Sequence, residues 1–351
     1  MRVAVVTSDV PFIEGGHRVI ARSLVRALRE SGHTADMVTT PQNRFGRQIS
    51  AYWATWLTDV GVGGDGSAID RVISLRFPSY AVRHPHQVVW LNHRMREYYD
   101  LWDDFRRTLG RRGRIVEGAR RRILHVLDGW LLRRRTVIAQ SKTIQARLTR
   151  WGDIPSQVLY PPAPQRAYRC DGYDGSILVV GRLTGLKRVD LLLQAAAAAG
   201  GDWRVRIAGE GPQRANLVKL TRELGLDHRV VLLGELGEDR LVHEYAHCAA
   251  VYFGSRAEDY GLVTLEAFSS AKAVVTCTDS GGPAELVEDG VTGFVAEPEA
   301  EAVGAALSRL VNEPRLAEKL GTAAAAVAER HSWPAAVKTL LSAGPQRPAD
   351  R

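Results

Sequence analysis

A chain of 351 residues is long enough for two domains at roughly 100–200 residues each. Apolar residues make up 45% and charged residues 25%, which excludes disordered, collagenous and membrane-bundle classes. The net charge of +8 is uneven: residues 1–165 carry 26 basic and 14 acidic side chains, whereas residues 166–351 carry 21 and 25. In chain order, residues 3–7 read as a short buried parallel strand. A loop with Pro11 and the pair Gly15-Gly16 follows, then a helical pattern with Val19, Ile20, Leu24 and Leu28 on one face. Gly32 ends that helix and residues 34–39 resume as strand, which makes one βαβ unit. Residues 72–75, 88–91 and 136–139 are further strand candidates, and residues 95–135 are mainly helical and rich in arginine. Tyr160-Pro161-Pro162-Ala163-Pro164, with the polar residues up to Tyr173, reads as a linker. Strands at 177–180, 204–208, 230–233, 251–253 and 274–276 then alternate with helices near 187–199, 213–224, 238–247, 262–271 and 283–288. Two more helices, about 299–312 and 315–330, complete this half. Such alternation in both halves predicts two doubly wound α/β domains, 1–165 and 170–331.

Cys170, Cys248 and Cys277 match neither a zinc spacing nor a disulfide framework and are expected to be ordinary buried thiols. Four apolar residues precede the first polar stop, too few for a signal peptide, and no uncharged apolar run approaches the ~18–20 residues of a membrane span. A cytoplasmic location is the expectation.

Ligands of doubly wound sheets bind beyond the carboxyl ends of the strands, and with two such domains the space between them is the default site. Two segments stand at strand ends with suitable chemistry. In Glu258-Asp259-Tyr260-Gly261-Leu262-Val263-Thr264-Leu265-Glu266, two glutamates eight positions apart bracket a strand-to-helix turn. The amides of Tyr260, Gly261 and Leu262 at that helix start form an anion site, and the carboxylates accept hydrogen bonds from hydroxyl groups. Taken alone, the pattern equally fits a capped helix with solvated acids. In Val180-Gly181-Arg182-Leu183-Thr184-Gly185-Leu186-Lys187-Arg188, Arg182 ends a strand and Lys187 opens the next helix. Those two cations suit a diphosphate, and they equally suit a surface turn. Together the two segments describe one pocket for a sugar nucleotide.

These residues, with Ser280-Gly281-Gly282-Pro283-Ala284-Glu285, resemble the group-one retaining glycosyltransferases (family 4) of the GT-B fold, bacterial type. The resemblance covers nearly the whole chain, specifically in the second half and loosely in the first, where Gly15-Gly16, Asn92-His93, the Tyr160-Pro161-Pro162 linker and Trp333 fit it. It implies two Rossmann-like doubly wound domains facing across a cleft, with a final helix (332–351) crossing back to the first domain. It implies that Arg182 and Lys187 hold the donor diphosphate and that Glu258 bonds the donor sugar. Glu266 would take the ribose hydroxyls, and the amides of Tyr260, Gly261 and Leu262 would cap phosphates and sugar. Gly16 would admit a close backbone approach, His93 would lie beside the reacting sugar, and the base would sit near Gly209, Leu233 and Gly234. His93 and Glu258 are thus the catalytic candidates. The implied donor is a UDP- or GDP-sugar, and the acceptor a polysaccharide, lipid-linked glycan or natural product. No cofactor and no metal are implied, and the chain has no Asp-x-Asp to hold one.

Thirteen arginines fall between Arg106 and Arg150. Arg120-Arg121-Arg122 and Arg133-Arg134-Arg135 flank Ile123, Leu124, Leu127, Trp130 and Leu131, which share a helical face. Such a helix suits a peripheral contact with an anionic membrane through residues 106–150, or packs on its own sheet with solvated arginines. No nucleic-acid partner is expected, because no binding module or interleaved aromatic platform is present. The rival reading is an arginine-rich membrane- or nucleic-acid-binding protein on a GT-B scaffold without transferase activity. A phosphorylase of the same fold would need a pyridoxal-binding lysine context, and none is evident.

Overall fold

A computed structural model describes residues 1–10, 15–42 and 46–344. Pro11 of the first loop and the end of the expected 332–351 helix lie outside the described residues. The chain divides into two compact units, one of Met1–Pro161 with Trp333–Arg351, the other of Pro162–Ser332.

The first unit holds strands β1 (Arg2–Asp9), β2 (Thr34–Pro41), β3 (Arg71–Ser74), β4 (Gln87–Leu91), β5 (Thr136–Ala139) and β6 (Gln157–Val158). They pair in parallel in the order β2-β1-β3-β4-β5-β6. Val5, Val6, Ile73, Val89 and Ile138 are buried in the sheet, as the continuous apolar runs of a sheet covered on both faces require. Helix Gly16–Glu30 turns Ile20, Ala21, Leu24 and Leu28 inward. The C-terminal helix Trp333–Ser342 belongs to this unit. Trp333 meets Trp90 edge to face at 6.2 Å, and Arg71 Nη1 donates to Leu340 O (3.0 Å) and Ala343 O (2.8 Å), satisfying carbonyls at the helix end. On the long helix Arg111–Leu132, Asp128 is fully buried and accepts hydroxyl protons from Tyr52, Tyr80 (2.5 Å) and Tyr99 (2.6 Å). Burial holds its carboxyl well above the usual range.

The second unit holds β7 (Ser176–Val180), β8 (Arg204–Ala208), β9 (Val230–Gly234), β10 (Ala250–Tyr252), β11 (Ala273–Cys277) and β12 (Gly293–Ala296). They are parallel in the order β12-β11-β10-β7-β8-β9. The chain therefore runs outward from β7 through β8 to β9, returns to β10 on the other side of β7, and runs outward again. The direction reverses between β7 and β10, and the loops leaving those two strands flank the reversal point, where sheets of this type bind ligands. The alanine-rich helix Val189–Ala199 packs against Ala300–Asn312, close enough that a β-carbon added at Gly304 would lie 2.8 Å from Ala195 O.

Several elements escape the sequence reading, helix Lys142–Arg150 among them. The strand β6 has two residues, too few to show a period, and β12 opens on a glycine and resembles a turn. Helix Gln48–Leu57 has apolar residues on every side, so no stripe marks it. Lys187 does not open the helix expected at 187–199: it closes a 3₁₀ turn, Gly185–Lys187, and Arg188, at φ +48°, redirects the chain before Val189. Cys248 and Cys277 are buried, which raises their thiols to about 12 and about 11, whereas Cys170 is exposed. It lies in the extended segment behind the linker, where its sulfur accepts from Lys272 Nζ at 3.2 Å.

Trp333→Ala is expected to destabilise the first unit by about 3–5 kcal/mol, the usual cost of removing a buried aromatic side chain. Urea unfolding measures that cost, and limited proteolysis should show cleavage after residue 332 that the native chain resists.

Candidate functional site

The strand-end loops of the second unit are packed backbone against backbone. Gly181 N donates to Ala208 O (3.0 Å), Gly209 N to Gly234 O (2.7 Å), and Leu183 N to Glu210 O (2.9 Å). A β-carbon at Gly209 would collide with Gly181 O, so only glycine permits this approach. On the other side of the reversal point, Glu258 N donates to Ser280 O (2.7 Å) and Gly282 N to Glu258 O (3.1 Å), tying the loop after β10 to the loop after β11. Gly261, at φ +82°, caps helix Leu262–Ser269, and a β-carbon there would lie 2.6 Å from Pro283 Cγ. Arg256 N donates to Leu186 O (2.8 Å), and Arg188 Nε to Gly254 O (2.7 Å). These bonds join the loop after β7 to the loop after β10.

That junction brings Lys187 and Glu258 together. Lys187 Nζ donates to Glu258 Oε2 at 2.7 Å and stands 4.7 Å from the centre of the Phe253 ring. Both side chains retain about a fifth of their exposure. Glu258 Oε1 has no hydrogen-bond partner among the described residues. Arg182 is exposed and likewise unpartnered among them. The amides of Gly261, Leu262 and Val263 fall in the first helical turn, where intrahelical acceptors are missing. The Tyr260 side chain is buried, so this residue can offer a ligand only its backbone. Gly209, Leu233 and Gly234 are partly exposed along the ends of β8 and β9.

Glu266 is placed differently from Glu258. It is 4% exposed. Its Oε1 accepts from Arg166 Nη1 and Tyr168 OH (3.1 Å), and its Oε2 from Tyr245 OH (3.0 Å). Burial disfavours the Arg166 charge, but Glu266 and Tyr168 more than offset it and raise its pKa. The two glutamates that bracket the turn thus each have a separate cation. Sequence reasoning missed Arg166, Tyr168 and Tyr245: the first two lie in the linker, a hundred residues from Glu266, where no local pattern marks them.

In the first unit, His93 follows β4 and its Nδ1–H donates to Arg94 O at 2.7 Å. Burial, then the nearby Arg76 charge, lowers its pKa to about 3, so the imidazole is neutral and Nε2 carries a lone pair. His17 is held the same way: Nε2–H donates to Ser8 O (3.2 Å), and Nδ1 accepts from Arg76 Nη1 (2.9 Å). Its pKa is also lowered to about 3, chiefly by burial and by Arg76. Gly16 is the first residue of helix Gly16–Glu30 and not a loop residue. A β-carbon on it would meet nothing within 4 Å, whereas one on Gly15 would lie 2.9 Å from His17 Nδ1. The open space is therefore at Gly16 and the crowding at Gly15. Among the described residues no group of three or more His, Cys, Asp or Glu side chains is arranged to hold a metal ion.

Two parallel doubly wound sheets, one carrying cations and a carboxylate at its reversal point, define an α/β protein with charged groups where such sheets bind ligands. Residues 167–327, just under half of the chain, match the family described as glycosyl transferases group 1. Curated relatives include the alpha-D-kanosaminyltransferase of Streptomyces kanamyceticus, 34% identical over 174 residues (48% of this chain and 43% of the relative). The D-inositol 3-phosphate glycosyltransferase of Nocardia farcinica is 35% identical over 176 residues (47% and 39%). In these alignments the chain spans less than half the length of the relatives. Among solved structures, sucrose-phosphate synthase from Thermosynechococcus elongatus superposes with a TM-score of 0.73 at 18% identity, covering 96% of this chain and 97% of that one. Anabaena HepE, solved with UDP and glucose, gives 0.69 at 18%, covering 96% and 98%. The fold is GT-B.

The two neutral histidines generate a pH dependence. The unfolded chain binds their protons below the ordinary 6.5 and the folded chain only near 3, so stability falls as pH drops through that window. The slope is up to about 1.4 kcal/mol per pH unit for each histidine. Urea midpoints between about pH 7.5 and pH 4.5 should fall more steeply for the native chain than for the His17→Asn/His93→Asn double variant.

Proposed function

We propose that the protein is a metal-independent, retaining glycosyltransferase that moves a sugar from a nucleotide-diphosphate sugar to a hydroxyl acceptor. The observation that carries this reading is the Lys187–Glu258 pair at the reversal point of the second sheet, with Arg182 unpartnered beside it on the same loop. A diphosphate needs fixed positive charge, and a lysine with three donors can serve a phosphate oxygen while keeping its bond to Glu258. As the glycosidic bond to the diphosphate breaks, charge accumulates on the leaving phosphate oxygen. Arg182 and Lys187 stabilise it there, in the manner of a preorganised electrostatic site. The first-turn amides of Gly261, Leu262 and Val263 add the positive end of a helix dipole, with the Tyr260 backbone just before them.

Glu258 Oε1, left open by the ion pair, accepts from a hydroxyl of the donor sugar and positions the anomeric carbon. Glu266, its carboxylate fixed by Arg166, Tyr168 and Tyr245, is assigned to the ribose hydroxyls. Gly209, Leu233 and Gly234 are assigned to the base. His93, neutral and with Nε2 able to accept, is assigned to a hydroxyl of the transferred sugar, and Gly16 to a backbone contact. The relative named for D-inositol 3-phosphate favours a polyhydroxylated acceptor, and HepE with bound UDP favours a UDP-sugar over a GDP-sugar. The Lys187–Glu258 pair at the reversal point and the match of residues 167–327 to glycosyl transferases group 1 support this reading over a scaffold without activity.

Thermal shifts with UDP-, GDP-, dTDP- and ADP-sugars should show stabilisation by one base class, unchanged by chelator and lost in Lys187→Ala. No shift with any of them rejects the donor site. Lys187→Ala and Glu258→Gln should each lower kcat/KM at least about 100-fold, or about 2.7 kcal/mol of transition-state stabilisation. Their melting temperatures should move by only a few degrees, because a partly exposed ion pair contributes about 1 kcal/mol or less. The anomeric configuration of the product, read by proton NMR, tests retention.

A further inference from the structure

The first unit carries a surface that the transferase chemistry does not use. Twelve large apolar side chains are exposed among the described residues, and eight of them lie on helices Gln48–Leu57 and Arg111–Leu132. The two helices meet where Trp56 stacks on Trp130, ring centres 5.7 Å apart. Trp53 (63% exposed), Trp130 and Leu127 line a groove of about 390 Å³ at that junction. Along the longer helix, Val116, Ala119, Ile123, Val126 and Trp130 recur at spacings of three and four, a straight stripe facing solvent. Leu124, Leu131 and Leu132, on the opposite side, fill the core. A contiguous apolar face of this extent marks a contact surface.

The charge beside the stripe decides what it contacts. Arg111, Arg112, Arg114, Arg122, Arg133 and Arg134 are exposed, and the Arg134 guanidinium covers the Trp130 ring at 4.6 Å. The long helix has two acids, and both are turned away: Glu117 pairs with Arg120 and accepts from Tyr98 OH (2.6 Å), while Asp128 lies under the three tyrosines. Helix Gln48–Leu57 has no acid at all. The exposed face is therefore cationic throughout. A second copy of the chain laid on it would set arginine against arginine without a counter-charge. An anionic bilayer supplies that counter-charge, and it accepts tryptophan rings at the headgroup boundary and arginine stems beside them. No helix among the described residues is long and apolar enough to cross a membrane, so the contact is with the surface.

We propose that helices Gln48–Leu57 and Arg111–Leu132 form a docking face for an anionic lipid bilayer. Trp53, Trp130 and the stripe enter the headgroup–acyl boundary, and the arginines engage the lipid phosphates. The proposal rests on the first unit alone and goes beyond the transferase reading.

Co-sedimentation with phosphatidylcholine vesicles, with and without about 30 mol% phosphatidylglycerol, tests it. The full chain should bind the anionic vesicles at least about 10-fold more strongly, and less so as salt rises. Trp53→Ser/Val126→Ser/Trp130→Ser should reduce that binding at least about 10-fold with unchanged circular dichroism. Should the triple variant misfold, Val126→Asp, at a position 71% exposed, must show the same loss. Arg111→Gln/Arg112→Gln/Arg114→Gln should remove the preference for anionic lipid. The proposal is overturned by an absence of vesicle binding, or by binding that the apolar variants leave intact, which is plain electrostatic adsorption. It is also overturned by a concentration-dependent dimer that Val126→Asp dissolves, which assigns the face to a second copy.

Discussion

The second unit depends on how closely the backbones approach at the carboxyl ends of its central strands. Gly209 rests against the carbonyl of Gly181, and its amide reaches Gly234. On the other side of β7, the loop carrying Glu258 is bonded to the loop carrying Ser280 and Gly282. Loops crowded in this way have little conformational freedom, and the 3₁₀ turn that ends at Lys187 is held between them. The Lys187–Glu258 pair is thus a consequence of backbone packing more than its cause. The ion pair is too exposed to fix the loops by its own strength. This order of causes is why a charge at the site can be removed without loss of the fold, whereas a methyl group at position 209 cannot be added.

The electrostatics follow the same logic. In the second unit, both glutamates have cations, but at different depths. Glu258 keeps one oxygen open and a share of solvent, so it can exchange partners. Glu266 is buried, with Arg166 and two tyrosines accounting for both its oxygens. A buried carboxylate bound on three sides is costly to move and therefore a rigid reference point. In the first unit the histidines are kept neutral by the same means, burial beside a fixed arginine, which leaves an acceptor nitrogen and no charge.

Most of the fold was legible in the sequence because parallel strands buried on both faces leave unbroken apolar runs, and the helices between them leave a 3.6-residue stripe. The exceptions have physical reasons. β6 is too short to have a period, and Gln48–Leu57 lacks the polar face by which a helix is recognised. Of the candidate site, Lys187 and Glu258 could be singled out because both stand just after strand ends, where doubly wound sheets bind ligands. Arg166, Tyr168 and Tyr245 were not, since tertiary packing brings them to Glu266, the first two across about a hundred residues and Tyr245 from the preceding helix. The glycine at 16 was read for its closeness to a ligand, and it is Gly15 that the fold itself crowds.

The arginine-rich helix shows how one sequence signal can have two true readings. Its apolar residues were expected either to pack on the sheet or to meet a membrane. Residues 124, 131 and 132 face the core and residues 116, 123, 126 and 130 face solvent, so the helix is apolar on two sides. A helix in that position would roll if only apolar contacts held it, because either stripe could turn inward. Asp128 breaks the tie. Three tyrosine hydroxyls from other elements converge on its carboxyl, and that convergence is satisfied in a single rotation of the helix. Rolling the outer stripe inward would take the acid from the buried tyrosines and leave both short of hydrogen bonds. The polar cluster inside the unit is therefore what keeps the apolar stripe outside it.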